Sequence, residues 1–361
     1  MCGIAGELRF EPGPSPANWA EISQLMSRRG PDDDGLWQDS SCTLAFRRLA
    51  ILDLSARGHQ PMVDPSGRYV LVFNGEIYNF REIRAELEAR GEHFSSSGDT
   101  QVLLRALIHW DVAALERLNG IFALALYDSV KKSLLLARDH AGIKPLYYLK
   151  DERGIVFGSQ FNQILRHPWG RQHSIDQDSL RLYLRFGYVP APFAMLEQSS
   201  MLDQGSWIRF SATGESQGGT YWSFPYPLAP SLRGEEALEA VNSVVRDAVD
   251  RQMVSDVPVG AFLSGGIDSP LVVGKILETG HSNLRTYTIA TDEAASDESD
   301  DARRYAEQLG VEQVIHSITP DDALALLPDV IEASSEPFGD YSMFPTMLVS
   351  KFSSEEFTVM L

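Results

Sequence analysis

Apolar positions follow two different rhythms along this chain. In the first half they alternate or run together. Ile4, Ala5 and Leu8 mark Cys2 to Phe10, and further runs cover Thr43 to Leu54, Tyr69 to Phe73, Ile121 to Tyr127, Ser133 to Ala137, Leu146 to Leu149 and Ile155 to Gly158. Runs of this length and composition predict strands. Helical spacing interrupts them at Trp19, Ile22, Leu25 and Met26, over Phe80 to Arg90, over Gln101 to Trp110 and over Asp176 to Phe186. Strands outnumber helices, and helices enter as pairs, so residues 1–190 are expected to form a layered α+β sandwich. Residues 191–233 begin and end in Pro-rich stretches, the second being Pro225 to Pro230, and read as a connector.

From residue 234 the rhythm changes. Over Glu235 to Met253, the residues Leu238, Val241, Val245, Ala248, Val249 and Met253 fall on one helical face. Strand-like runs at Val257 to Leu263, Leu284 to Ala290 and Val314 to Ile318 then alternate with helices at Pro270 to Leu277, Asp300 to Leu309 and from Asp321 onward. Phe357 to Leu361 opens another strand. Such alternation predicts an α/β parallel-sheet domain over residues 234–361, with helices on both faces.

Charge and cysteine content narrow the function classes. With 50 acidic against 31 basic side chains the formal net charge is -19, which disfavours a nucleic-acid groove or an anionic membrane surface. Two cysteines, Cys2 and Cys42, indicate no disulfide framework. No apolar run reaches membrane-spanning length and the N-terminus lacks a signal pattern, so the expectation is a cytoplasmic protein. The eight histidines lack zinc-ligand spacing.

Two stretches carry candidate chemistry. If Met1 is removed, Cys2 becomes the terminal residue and brings a thiol and an α-amino group together. That amine titrates at about 7.7–8.0 and can take the thiol proton near neutral pH. A thiolate attacking a carboxamide needs donors for the developing oxyanion, and Asn74-Gly75 offers a side-chain amide and a glycine N–H at a tight turn. An ordinary Asn-Gly turn is the plain alternative. Arg48 suits a substrate carboxylate, while Glu76 and Asp99 suit an ammonium. Read singly, Arg48 fits a structural residue and Asp99 a helix cap. The second stretch, Ser264-Gly265-Gly266-Ile267-Asp268-Ser269, lies between a strand and a helix, where backbone N–H groups can meet an anion. It lacks the Gly-Lys-Ser/Thr of a Walker A loop, and a simple Gly-rich turn is its plain alternative.

In order, the chain carries Cys2-Gly3-Ile4, Arg29-Gly30-Pro31-Asp32, Arg47-Arg48-Leu49, Gly58-His59-Gln60-Pro61-Met62, Asn74-Gly75-Glu76-Ile77-Tyr78-Asn79, Ser97-Gly98-Asp99 and Arg138-Asp139 with Gly142-Ile143-Lys144-Pro145. This set resembles the glutaminase domain of class II amidotransferases, which has the N-terminal-nucleophile fold. The resemblance implies that Cys2 attacks the glutamine side-chain amide and that Asn74 and Gly75 hold the oxyanion. Arg48, with backbone around Ala50 and Leu52, would bind the glutamine carboxylate; Glu76 and Asp99 would bind its ammonium. The Ser264 to Ser269 loop resembles that of ATP pyrophosphatases. Ser264, Gly265, Gly266, Asp268 and Ser269 would then cradle pyrophosphate, with Asp268 at a magnesium ion and Leu263 and Ile289 near adenine. Asp297-Glu298-Ser299 and Glu336-Pro337-Phe338 also match the asparagine synthetase pattern and are expected to shape the acceptor pocket.

Together these features resemble the glutamine-hydrolysing asparagine synthetase family. They imply glutamine, aspartate and ATP as substrates, Mg2+ as cofactor and no nucleic-acid or membrane partner; a homodimer is left open. The chain departs from the family pattern at Arg28, Ala45-Phe46, Ser159-Gln160 and Met201 to Gly205. In the family a Ser-Gly-x-Gly loop and a long helical region follow the strand corresponding to Phe357 to Leu361, so the chain reads as a truncated form. Two rivals stay open: an ATP-dependent amidotransferase with another carboxylate acceptor, and a non-catalytic remnant.

Overall fold

In the computed structural model, which describes residues 1–225, 231–291 and 297–361, the chain divides into two units. The first comprises Met1–Phe224 with Ser335–Gly339, the second Pro225–Ser334 with Asp340–Leu361. Residues 226–230 of the expected second connector lie outside the described residues.

The first unit runs β1 (Gly3–Arg9), α1 (Trp19–Gln24), β2 (Asp33–Gln38), β3 (Cys42–Arg48), β4 (Met62–Val63), β5 (Tyr69–Ile77), α2 (Phe80–Glu88), α3 (Thr100–Trp110), β6 (Gly120–Asp128) and β7 (Ser133–Arg138). It continues through β8 (Tyr147–Lys150), β9 (Gly154–Gly158), α4 (Phe161–Arg166), α5 (Gln177–Phe186), β10 (Ser199–Met201), β11 (Ser206–Phe210) and β12 (Ser216–Thr220). Two six-stranded sheets form, in the orders β10-β8-β9-β1-β3-β2 and β12-β11-β7-β6-β5-β4. Period-two patterning builds the space between them. Ile4 and Leu8, Leu44 and Phe46, Val70 and Val72, Ala123 and Ala125, and Leu134 and Leu136 share one buried cluster. Burying each large member of such a set stabilises the fold by about 1.5–3 kcal/mol. The opposite face of the first sheet is covered too: Ala5 and Ala45 pack under Trp19, Ile22 and Met26. Strand β1 is therefore buried at every position. Helices α2 and α3 pack on each other, and α3 also packs on β4 and β5. The layered sandwich expected from the sequence is present.

Four local expectations change. The strand expected to reach Leu54 ends at Arg48. Asn74-Gly75 is not a turn, because β5 pairs with β6 through Asn74↔Ala123 and Gly75↔Phe122 as far as Ile77. A Cβ on Gly75 would stand 2.1 Å from the Ile121 carbonyl oxygen, so the glycine serves close strand approach. Edge strand β2, with every second residue exposed, was not anticipated. Nor were β10 to β12, in the expected connector: β10 pairs with β8, and β11 lies between β7 and β12. Ser- and Gly-rich composition hides the strand signal in β10 and β12, while β11 is a short five-residue run between them.

The second unit contains α6 (Gly234–Gln252), β13 (Val259–Phe262), α7 (Asp268–Glu278), β14 (Arg285–Thr291), α8 (Ser299–Leu309), β15 (Glu312–Ile318), α9 (Pro320–Ala333), α10 (Met343–Ser353) and β16 (Val359–Met360). Its four strands are parallel in the order β15-β14-β13-β16. Ala261, Leu263, Val273, Ile276, Ala302 and Ala306 form its main core. Helix α6 buries Val249 but leaves Leu238 and Val241 75% and 62% exposed, so only part of its apolar face is used. Among the described residues no helix is long and apolar enough to cross a membrane.

Candidate active site

The first pocket forms where β1, β3 and β5 deliver their ends. Cys2 sits just before β1, Arg48 closes β3, and Asn74, Gly75 and Glu76 lie in the last turn of pleat of β5. Cys2, Arg48, Leu52, Gly75, Glu76 and Asp99 line one cavity. Leu49, the first residue past β3, brackets the sulfur: its N–H lies 3.4 Å from Cys2 Sγ, and its carbonyl accepts from the thiol at 3.6 Å. Burial pushes the thiol up from its usual value, and the Leu49 N–H offsets this in part. The α-amine of Met1 is pushed down to about 6, mainly by burial, with Lys144 and Arg29 adding in the same direction.

Asn74 is 1% exposed, and neither its Nδ2 nor its Oδ1 has a hydrogen-bond partner. A buried polar atom left unpaired costs about 1–3 kcal/mol. An amide held so, one residue before a cavity-lining glycine and facing no protein acceptor, is suited to a charge that arrives with a substrate.

Arg48 is buried, and three of its N–H groups are spoken for. NH1 donates to Ser55 O at 3.0 Å, and NH2 donates to Leu52 O at 3.2 Å and Asp53 O at 2.5 Å. Five N–H groups make up the guanidinium, so a face remains for a carboxylate. Ala50 is turned to a different task, its N–H bonding Asp32 Oδ2 at 2.8 Å. On the other side, Asp99 does not cap α3. Its Oδ2 accepts from Ile77 N at 2.9 Å, which ties it to the end of β5. Burial raises the Asp99 carboxyl to about 6, and burial followed by the Asp99 charge raises Glu76 far above its usual range. Two acids pressed together out of water call for a cation.

Several contributors were quoted in motifs without a role. Arg29 Nε donates to the Cys2 carbonyl at 3.0 Å, while its NH2 is buried and unpartnered. Gln60 grips the backbone of Phe73, accepting from its N–H at 2.6 Å and donating to its carbonyl at 3.2 Å. Asp139 accepts from the backbone of Phe122, Ala141, Ile143 and Lys144 at 2.9–3.1 Å and so shapes the loop presenting Lys144. Burial, then Arg29, lowers the Lys144 ammonium, while Glu76 and Cys2 act against that shift. Only the mutual spacing of these charges, invisible in sequence, could have marked Lys144.

The second candidate site follows β13. This strand pairs with β14 on one side and β16 on the other, so the chain reverses direction across the sheet there, and ligands of open α/β sheets settle at such points beyond the strand ends. Leu263 is buried, its N–H bonded to Tyr287 O at 2.9 Å. Ser264 N donates to Ser269 Oγ at 2.8 Å, and the two hydroxyls lie 2.9 Å apart. Gly266 N donates to Ser264 Oγ at 3.2 Å. Gly265 N donates to the Glu298 carboxylate at 3.2 Å, so an acid from the start of α8 already stands at the loop. Asp268 opens α7 and is exposed, and Ile289 lies on β14, half-buried. Among the described residues no cluster of three acids, histidines or cysteines could hold a metal ion. Backbone N–H groups, two hydroxyls and one exposed carboxylate suit a phosphate chain with magnesium, an ion that keeps most of its ligands as water and phosphate. Glu336 belongs to the first unit, where its carboxylate accepts from Met195 N at 2.9 Å.

Residues 1–222 match the glutamine amidotransferase domain family, and residues 240–361 match the asparagine synthase family. Glutamine-hydrolysing asparagine synthetase 1 of Bacillus subtilis is 33% identical over 366 residues, covering 100% of this chain and 57% of its own length. A putative glutamine-hydrolysing asparagine synthetase of Mycobacterium tuberculosis is 32% identical and covered to 58%. A second putative one, of Methanocaldococcus jannaschii, is 32% identical over 382 residues and covered to 73%. The chain thus spans little more than half the length of the first two. Among solved structures, the glutamine phosphoribosylpyrophosphate amidotransferase of Bacillus subtilis shares 15% identity, with 90% of this chain and 70% of its own covered at a TM-score of 0.44. By sequence, with both halves matched and in this order, the chain belongs to the glutamine-hydrolysing asparagine synthetase family.

Proposed function

We propose that the first pocket hydrolyses glutamine to glutamate and ammonia, and that the second belongs to an ATP-dependent site at which ammonia amidates the side-chain carboxyl of aspartate. With Met1 removed, the Cys2 amine accepts the thiol proton and the sulfur attacks the glutamine carboxamide carbon. The carbonyl becomes an oxyanion facing Asn74 Nδ2 and the Gly75 N–H. Its collapse breaks the C–N bond, and the proton returns to the leaving nitrogen as ammonia departs. Water then cleaves the thioester, giving glutamate and the free thiol. Arg48 holds the α-carboxylate; Glu76 and Asp99 hold the α-ammonium. The observation that carries this reading is the buried, unpartnered amide of Asn74 in the strand that leads into the Cys2 cavity.

The second half of the reading rests on the Ser264 to Ser269 loop and on family membership. Its N–H groups and hydroxyls would bind the ATP phosphates, and Asp268 would bind magnesium. Adenylation converts the aspartate carboxyl into an acyl-AMP with release of pyrophosphate; attack by ammonia then gives asparagine and AMP.

Glutamate release from glutamine by the wild-type chain and by Cys2→Ala tests the first half. Release by wild type and its loss in Cys2→Ala is expected. Equal slow release by both would remove the reading. Product analysis with aspartate and ATP, against other carboxylates, tests the acceptor.

A further inference from the structure

Resting on the reading of the first pocket as a glutamine site, we propose that Asp53 is the positioning residue that locks the carboxylate-binding Arg48 and the ammonium-binding Asp99 into one rigid span. Asp53 is 4% exposed and bonds to both of the loops that carry these charges. Its backbone sits at φ 48°, a left-handed conformation a non-glycine residue adopts only with support. That conformation turns the Asp53 carbonyl onto Arg48 NH2, beside the Leu52 carbonyl that shares the same nitrogen.

The side chain points the other way. Oδ1 accepts from the N–H and hydroxyl of Ser55, whose carbonyl is the third acceptor for Arg48. Oδ2 crosses to the second loop and accepts from Ser96 Oγ at 2.6 Å and Ser97 N at 3.0 Å. The Ser96 hydroxyl in turn accepts from Gly98 N at 3.0 Å, one residue before Asp99. A Cβ on Gly98 would come 3.3 Å from the Asp53 Cβ, so the loops touch closely. One residue therefore fixes the Arg48 fork through its main chain and the approach to Asp99 through its carboxylate. Burial alone would raise this carboxyl, yet the Ser55, Ser96 and Ser97 donors hold it down at about 2, so it remains an ionised acceptor at working pH.

Such a device serves substrate choice. A free α-amino acid presents its carboxylate and ammonium on one carbon, and their spacing must match that of Arg48 and Asp99. Simple amides and glutamine within a peptide lack the pair. Loosening the span costs binding of the α-groups and leaves the nucleophile and oxyanion donors in place.

The test is Asp53→Asn in the full chain, which keeps the shape and removes the charge. KM for glutamine is expected to rise about 10–100-fold, the worth of a hydrogen-bonded buried carboxylate, with kcat changed less than roughly threefold. Inactivation by a glutamine-shaped chloroketone should slow in step with KM. Alkylation of Cys2 by iodoacetamide, which needs neither α-group, should keep its rate. Ser96→Ala should raise KM by a smaller factor, and the double variant should be no worse than Asp53→Asn. If Asp53→Asn fails to fold, Ser96→Ala carries the same comparison. An unchanged KM in both variants overturns the proposal, as does a loss of kcat accompanied by slower iodoacetamide labelling. Calorimetric glutamine binding to Cys2→Ala, with and without Asp53→Asn, separates this from the underlying reading. Binding unaffected by the substitution sinks the role of Asp53 alone, whereas no binding to either sinks the glutamine site and the proposal with it.

Discussion

The two candidate sites differ in how their polar groups are met before any ligand arrives. Around Cys2, Asn74 has no partner, and Glu76 and Asp99 crowd each other out of water, although Arg48 is held by three carbonyls. Around Ser264 the loop satisfies itself, with hydroxyl on hydroxyl and the Glu298 carboxylate on a glycine N–H. Burial explains the difference. The first pocket lies against a core closed on both faces of β1, which can support unpaired groups because the surrounding packing over-determines them. The second lies on an exposed loop, in a unit that also leaves Leu238, Val241, Leu324 and Ile331 more than half exposed. The contrast observed is thus between an unpartnered amide beside the first pocket and a second loop whose described groups bond to one another.

The largest expected effect follows from that contrast. Asn74→Ala should lower kcat for glutamine hydrolysis about 100- to 1000-fold, the usual loss for one oxyanion donor. It should leave the melting temperature within a few degrees, because the side chain makes no hydrogen bond in the resting protein. Thermal unfolding measured beside the kinetics checks both. A large fall in stability would mean that the amide supports the fold, and the comparison between the sites would lose its footing.

A smaller effect concerns pH. The ammonium of glutamine requires ionised acids, and burial holds Asp99 at about 6 with Glu76 well above its ordinary range. Acidification through about 6 protonates Asp99 and removes the anion the ligand needs. KM should therefore rise as pH falls below that point, by up to about tenfold per pH unit when one proton must leave on binding. Near pH 6, where Asp99 is partly protonated in the empty pocket, glutamine binding should release protons. Calorimetry in buffers of different ionisation enthalpy reads this directly, and binding without proton release would show that the acids are not coupled to the ligand.

Most of the first unit could be read from the chain. Its strands alternate cleanly, as Ile4 and Leu8 do against Leu44 and Phe46, and Cys2, Arg48, Gly75, Glu76 and Asp99 line one cavity. What escaped reading was context. Asn74-Gly75 carries the local chemistry of a turn, yet pairing with β6 overrides it, and the missing Cβ serves a neighbouring carbonyl. Asp99 carries that of a cap, yet its carboxylate reaches the end of β5. In β10 and β12, Ser and Gly give no strand pattern, whereas β11 carries Trp207, Ile208 and Phe210 inside a stretch whose Pro-rich ends read as a connector; their places are set by β7 and β8. Asp53 lies in the strand-like run Thr43 to Leu54, whose alternation carries no sign of its positive φ. On α6 the even apolar face gave no hint that Val249 is buried while Leu238 is not.

The least effect is expected at the second site, and it sharpens the comparison most. If the Glu298 carboxylate merely stands in at Gly265 for a ligand oxygen, removing it should make the loop more receptive. Glu298→Gln should then bind magnesium pyrophosphate a few-fold tighter, the scale of one exposed hydrogen bond with a charge. Removing any nearby negative charge also favours an anion, so the effect needs a reference. Asp300→Asn takes away the same charge two residues on, at a side chain paired with Arg303 rather than with the loop. It should give the smaller gain, and one that shrinks with added salt. A gain for Glu298→Gln that exceeds the reference and persists in salt identifies direct competition for the Gly265 N–H. A loss of affinity would mean that Glu298 helps hold the phosphate or its metal, and that the second site, like the first, carries a group kept waiting for its ligand.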